Sequence, residues 1–330
     1  MKHKIIILMA VLLVVSLSSA YAGNERRIGT AGAQELRIPI GARGTALAGA
    51  VLADVSGVES IYWNPAGLAI LSGTEAMFSH QPYFADIDIN FVGVATSIED
   101  FGTIGASAKI VSIGDMVETT EQYPDGTGRI FSPSLSVLTL SYARQLTARV
   151  SFGITGSFIN EKIFEVSATG AAFDVGFIYN PEWHGVRVGM AIKNYGPEMS
   201  FDGTGFNRSL GDRPAKPIAS PFDLPSSVNL GLSVDFLNSG KSLATVSGNF
   251  CSNNYSEDLY QGGIEYAFDN MYFLRGGYSY SDQKDYLYGF SFGAGIVVPI
   301  AGTDVTFEYS WTETEVFTSN NQYFTGKINF

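Results

Sequence analysis

Nine charged residues recur on one side of a long alternating pattern: Lys109, Asp174, Arg187, Lys193, Asp235, Glu265, Arg275, Glu308 and Lys327. Most sit on a face of small or polar residues, with aliphatic or aromatic residues at the flanking positions. Mixed signs on one face suit ion pairing across an enclosed space, or a track that guides a charged solute. Covalent chemistry has little to work with. The chain has three His, and His80 and His184 lie at run ends without metal-ligand spacing. Neither stands in a nucleophile motif. Gly41-Ala-Arg-Gly44 follows an extended run but is not GxGxxG, and no βαβ unit surrounds it, so no phosphate loop is read there. The lone Cys251 excludes an internal disulfide and reads as a packing residue. The chain is expected to be no enzyme and to use no cofactor and no metal.

The elements that position these charges are strands. Val228, Leu230, Leu232, Val234 and Phe236 alternate with Asn229, Gly231, Ser233 and Asp235; Val305, Phe307, Tyr309 and Trp311 alternate with Thr306, Glu308, Ser310 and Thr312. A period of two with one apolar face also fits a soluble sandwich, whose strands are usually ~5–6 residues. These runs reach roughly 9–12 residues, the length a tilted strand needs to cross a bilayer. Fourteen of them begin near Thr74, Ile89, Thr103, Ser134, Val150, Gly170, Val186, Ser226, Ser242, Asp258, Met271, Tyr286, Thr303 and Asn321. The even-numbered connections are tight. Most odd-numbered ones are longer, led by Gly114–Pro133 and Gly196–Pro225. That asymmetry is the turn-and-loop pattern of outer-membrane barrels.

Composition agrees. Gly numbers 37, aromatics reach 13% and charged residues only 16%, against roughly 25% in soluble domains. Lys2, Lys4, the apolar Ile5–Leu17 and Ala20-Tyr21-Ala22 read as a secretory signal cleaved after residue 22. Losing Lys2 and Lys4 takes the formal charge from −12 to −14, which argues against nucleic acid. The expected fold is all-β: a 14-stranded antiparallel transmembrane β-barrel over 74–330, with a partly helical plug in its lumen over 23–73.

Within the plug, Gly41–Leu68 is small, apolar and almost uncharged. Arg43–Ala53 is expected to be a short helix, weakened by Gly44 and Gly49. Asn64-Pro65 reads as a second helix start, Asn as N-cap and Pro at the first position. An ordinary subdomain packed on a sheet is the other reading of this stretch.

The block GARGTALAGA, an acid-containing spacer and IYWNPAGLA (Ile61–Ala69) resembles the N-terminal signature of the PorV/PorQ family, part of the wider FadL-like group of outer-membrane barrels. The resemblance implies that Gly41, Ala42, Arg43, Asn64, Pro65, Ala66 and Gly67 form a plug or hatch motif. It also implies an accessory of type IX protein secretion that shuttles cargo or attaches it at the surface, by contacts through loops and lumen mouth. Implied partners are outer-membrane lipid, the type IX translocon, and cargo with C-terminal sorting domains. The last run ends on the aromatic Phe330, which resembles the signal read by barrel-assembly machinery. Asn64-Pro65-Ala66 also resembles the plug motif of fatty acid transporters of the FadL type, which leaves a passive channel for hydrophobic molecules as the alternative. A soluble periplasmic β-protein is a third reading.

Overall fold

In the computed structural model, residues 29–83, 87–210, 213–215, 219–283, 286–314 and 320–330 are described. The expected signal segment lies outside them, as do the side chains of Arg208, Arg213 and Lys216 in the longest loop. Fourteen long strands are present among the described residues: β1 (Thr74–Pro82), β2 (Asp88–Ile98), β3 (Gly102–Ser112), β4 (Ser134–Thr147), β5 (Val150–Ile163), β6 (Val166–Tyr179) and β7 (Val186–Tyr195), then β8 (Ser227–Ser239), β9 (Ser242–Asn253), β10 (Leu259–Phe268), β11 (Tyr272–Ser281), β12 (Tyr288–Ile300), β13 (Thr303–Thr314) and β14 (Asn321–Asn329). Each pairs antiparallel with its neighbours in sequence. The seam closes where β1 meets β14, with Glu75 opposite Asn329 and His80 opposite Phe324. A closed sheet has no free edge, so the ladder donors and acceptors are largely used within the wall; the β6–β7 pair is the irregular one, with a register shift between Phe173 and Val175.

Alternation sets the two faces. In β12, Phe290 and Phe292 are exposed on the outside while Ser291 is buried inside. The outer surface is a continuous apolar band that includes Val92, Leu140, Phe158, Met190, Ile264 and Phe307. The inner positions are small, polar or charged.

Tight turns gather at one end of the barrel. In the three-residue turn 269–271, Asp269 and Asn270 both take positive φ (56° and 55°), a reversal whose twist matches the flanking strands. Ala301-Gly302 does the same with φ of 51° and 86°. The opposite end carries the long connections. Residues 113–133 contain a small hairpin, Met116–Val117 with Ile130–Phe131. In the segment 196–226, Met199 exchanges backbone bonds with Phe222 at 2.9 and 2.8 Å.

One connection departs from expectation. The chain between β5 and β6 is only Phe164-Glu165, and β6 starts at Val166 rather than near Gly170. Phe164 takes φ 54° there, a conformation a bulky residue rarely adopts, so no Gly or Asn marked the turn in sequence.

Candidate functional site: the plugged lumen

The segment 29–73 folds back into the barrel: its first residues meet the long connection, with Gly32 N–H donating to Asp223 O at 3.1 Å, and the stretch from residue 41 on fills the half nearer the tight turns. The first helix, α1 (Ala42–Ala46), is shorter than the expected Arg43–Ala53. The chain leaves helical geometry at Ala48 (φ 53°) and Gly49 (φ 88°), and Gly49 N–H donates back to Gly44 O at 2.9 Å. The remainder, Leu47–Asp54, is a series of turns. A second short helix, α2 (Ser60–Trp63), leads into Asn64. The expected start at Asn64-Pro65 is present but opens a 3₁₀ turn, Pro65–Ile70, in which the Asn64 side chain accepts from Ala66 N–H at 3.2 Å. The same side chain donates to Leu52 O (2.8 Å) in the plug and to Phe177 O (3.2 Å) in β6, so Asn64 ties plug to wall.

Glycine in the wall makes room for this segment. A methyl group on Gly153 would collide with the Pro65 backbone, on Gly176 with Asn64 Oδ1, on Gly189 with Leu52 O, and on Gly277 with the Leu47–Ala48 peptide. Gly231 and Gly293 meet Leu52 and Ala46 in the same way, at 2.8 and 2.5 Å. These residues come from β5, β6, β7, β11, β8 and β12, so the plug seats in a girdle of missing side chains. The small residues of the hatch motif are the other half of the fit: Gly44 backs onto Trp63, and Gly67 lies against the Val55 carbonyl.

Most of the inward charges form one connected ribbon with the plug. Asp235 receives Arg187 at 2.7 Å, and Arg187 reaches Asp54 at 2.9 Å. Asp54 bridges to Arg43 at 2.8 Å, and Arg43 forks onto Glu265 at 3.0 and 3.1 Å. Glu265 meets Arg275 at 2.5 Å, Arg275 meets Glu308 at 2.8 Å, Glu308 meets Lys327 at 2.9 Å, and Lys327 ends on Glu59 at 3.2 Å. Signs alternate at every step from β8 round to β14. Burial alone would lower the Arg43 pKa, but Glu265 and Asp54 reverse this and hold it well above the usual guanidinium range. Burial pushes the Asp54 carboxyl up, against the pull of Arg43 and Arg187. Buried ion pairs are weak evidence for net stability, yet removing one partner is strongly unfavourable. The ribbon therefore fixes where the plug sits more than it adds stability.

Lys109, Lys193 and Asp174 stay outside the ribbon. Lys109 donates to Ile38 O at 3.1 Å, and Lys193 lies 3.9 Å from the Tyr62 ring centroid. Asp174 accepts from Asn194 N–H at 2.6 Å, where the β6–β7 register shifts. Nearby, burial and then the facing Glu161 push the Glu35 carboxyl up to about 8. Asp54, Glu59 and Glu35 were not singled out by sequence reasoning. For Asp54 and Glu59 the signal is their rarity, as acids inside the otherwise small, apolar Gly41–Leu68; Glu35 lies before that stretch and carries no such signal.

Between the plug and the long connections lies a cavity of about 530 Å³. Tyr62, Trp63, Lys193, Asn229, Asn249 and Tyr323 are among the residues that border it. His80 is hydrogen-bonded to Asn90 at 2.9 Å, and no cluster of metal-ligating side chains occurs among the described residues. Phe330 exchanges backbone hydrogen bonds with Thr74 at 2.8 and 2.9 Å and leaves its ring exposed.

The profile of a family described as "Type IX secretion system protein PorV" matches residues 21–238, the plug and the first half of the barrel. Comparison with curated proteins gives no match. Among solved structures, the chain is similar in fold to the CymD monoaromatic hydrocarbon channel (TM-score 0.54, 14% identity, 88% of this chain and 97% of that one). It is also similar to a Pseudomonas aeruginosa FadL homologue (0.53, 12%, 88% and 98%) and to the Pseudomonas putida toluene transporter TodX (0.53, 13%, 84% and 93%).

Proposed function

The chain belongs to the PorV family, and from that premise we propose that this outer-membrane β-barrel is an accessory of type IX protein secretion. In this reading it works by protein–protein contact and performs no chemistry. The long connections at 113–133 and 196–226, together with the rim they surround, receive the translocon and cargo carrying C-terminal sorting domains. The apolar outer band meets outer-membrane lipid, and the terminal strand ending in Phe330 is read by the barrel-assembly machinery. The observation that carries the proposal is the family match over the plug and half the wall. The pinned plug supports it, because a lumen floored by a nine-member charge ribbon favours a docking platform over a conduit.

Affinity purification of the full chain from detergent-solubilised outer membranes tests the proposal. Recovery of a large translocon barrel or of sorting-domain cargo is the expected result. Recovery of the bare barrel with a bound hydrophobic molecule would favour a passive channel of the kind its structural relatives are named for.

A further inference from the structure

We propose that the cavity above the plug binds a small acidic saccharide, one or two sugar rings carrying a carboxylate. Its volume of about 530 Å³ lies within the ~300–1,000 Å³ usual for small-ligand sites. The floor is aromatic: Tyr62 and Trp63 stand edge to face, 4.9 Å between centroids, and both border the space. A ring face suits the C–H surface of a pyranose. The wall from β8 to β10 carries Asn229, Asn249 and Gln261, with Asn249 Nδ2 donating to Gln261 Oε1 at 2.7 Å. Side-chain amides set donors beside acceptors, as neighbouring sugar hydroxyls do.

One bordering polar atom is unused. Asn249 Oδ1 is buried without a hydrogen-bond partner among the described residues. A hydrocarbon in this space would leave it so, whereas a polyol supplies a partner. The charge points the same way. Lys193 rests 3.9 Å from the Tyr62 centroid, and Arg37 4.4 Å from that of Tyr255, and neither has a carboxylate within 4.0 Å among the described residues. The ribbon's cations are each neutralised by acids; these two are stacked on rings and face the cavity. Two acids lie near. Asp174 accepts the Asn194 N–H, and Glu35, with its carboxyl pushed up to about 8 by burial and Glu161, is mostly protonated at neutral pH and repels a carboxylate little. A neutral sugar would use the amides and rings alone, so an acidic one is preferred.

The test uses the full chain in detergent and the fluorescence of Trp63 as reporter. The probes are glucuronate, methyl glucoside, octanoate and toluene. Glucuronate is expected to give a saturable change that Trp63→Phe abolishes, with methyl glucoside binding about tenfold more weakly. Lys193→Gln should weaken glucuronate by a similar factor. Because Lys193 also touches a plug ring, Asn249→Ala serves as a second variant, at a residue whose side-chain hydrogen bond is to the wall residue Gln261, and it should weaken both sugars. Heat-modifiable migration on a gel confirms that each variant is folded. Absence of saturable glucuronate binding by fluorescence and calorimetry overturns the proposal, as does tighter binding of octanoate or toluene than of glucuronate. The inference does not rest on the secretion role, which affinity purification reads separately.

Discussion

Arg43→Ala is the sharpest probe of the plug. The wild-type guanidinium forks onto Glu265 at 3.0 and 3.1 Å and holds Asp54 at 2.8 Å, with side chains only 13–19% exposed. Solvent screens such a contact little. Breaking a buried pair by removing one partner costs about 3–5 kcal/mol. The low end applies here, because Asp54 keeps Arg187 at 2.9 Å and Glu265 keeps Arg275 at 2.5 Å, so neither carboxylate is orphaned. The loss should fall on plug docking and not on the wall, whose ladder does not involve Arg43. A loss of about 3 kcal/mol raises the undocked population roughly a hundredfold. Limited proteolysis of the native barrel reads that population directly when reclosing is faster than cleavage. Cleavage within residues 41–68 should therefore accelerate by about that factor while the barrel stays heat-modifiable. Arg43→Lys, which keeps charge but loses the fork, should fall between. If plug cleavage in Arg43→Ala stays within about threefold of wild type, the ribbon does not hold the plug and the reasoning is wrong.

Gly277→Val should dislodge the plug by about 1–3 kcal/mol, since its side chain would meet the Leu47–Ala48 peptide, whereas Gly276→Val, whose nearest neighbour is the Phe292 ring at 3.6 Å, should not; ion conductance in planar bilayers separates the two. Leu140, 72% exposed on the outer band, should cost about 2–4 kcal/mol of folding into lipid vesicles when replaced by Arg, and an unchanged urea midpoint would contradict the lipid-facing assignment. The Glu35 carboxyl titrates near 8 in the folded chain, against an ordinary 4.5. A raised acid pKa means the docked form binds the proton more tightly. Its contribution is complete below about 4.5 and is lost as pH rises through about 8. Proteolysis near Gln34–Arg37 should speed up across that window, and Glu35→Gln should flatten the profile.

The strands were legible because lipid-length alternation is a local signal. Strand starts such as Thr74, Ser134, Val150, Val186, Ser242, Thr303 and Asn321 coincide with the observed ones. The exception, β6, hides behind a turn at Phe164 that carries no turn residue. Inward placement of Glu265, Arg275 and Glu308 followed from the same alternation, but their order in the ribbon did not. Pairing depends on Asp54, Arg43 and Glu59, which lie about two hundred residues or more from Glu265, Glu308 and Lys327 in sequence. Helix α1 is shorter than local propensity implies because Ala48 and Gly49 take left-handed backbone where the Leu47–Ala48 peptide meets Gly277. That demand comes from the wall and not from helix propensity. The high glycine content was visible at once, but its arrangement as a seat emerges only when the wall is curved round the plug.

The contacts between plug and β14 have a consequence for biogenesis. Ala42 N–H donates to Thr325 Oγ1 at 2.9 Å across 283 residues, and Glu59 takes Lys327 from the same strand, which also zips to β1. Translation delivers the hatch well before its anchoring strand. A wall that closed early would trap Arg275, Glu308 and Lys327 around a vacancy, so enclosure and lock must mature together. A truncated chain lacking its final strand would thus forfeit both the cylinder's seam and the grip on its own occupant.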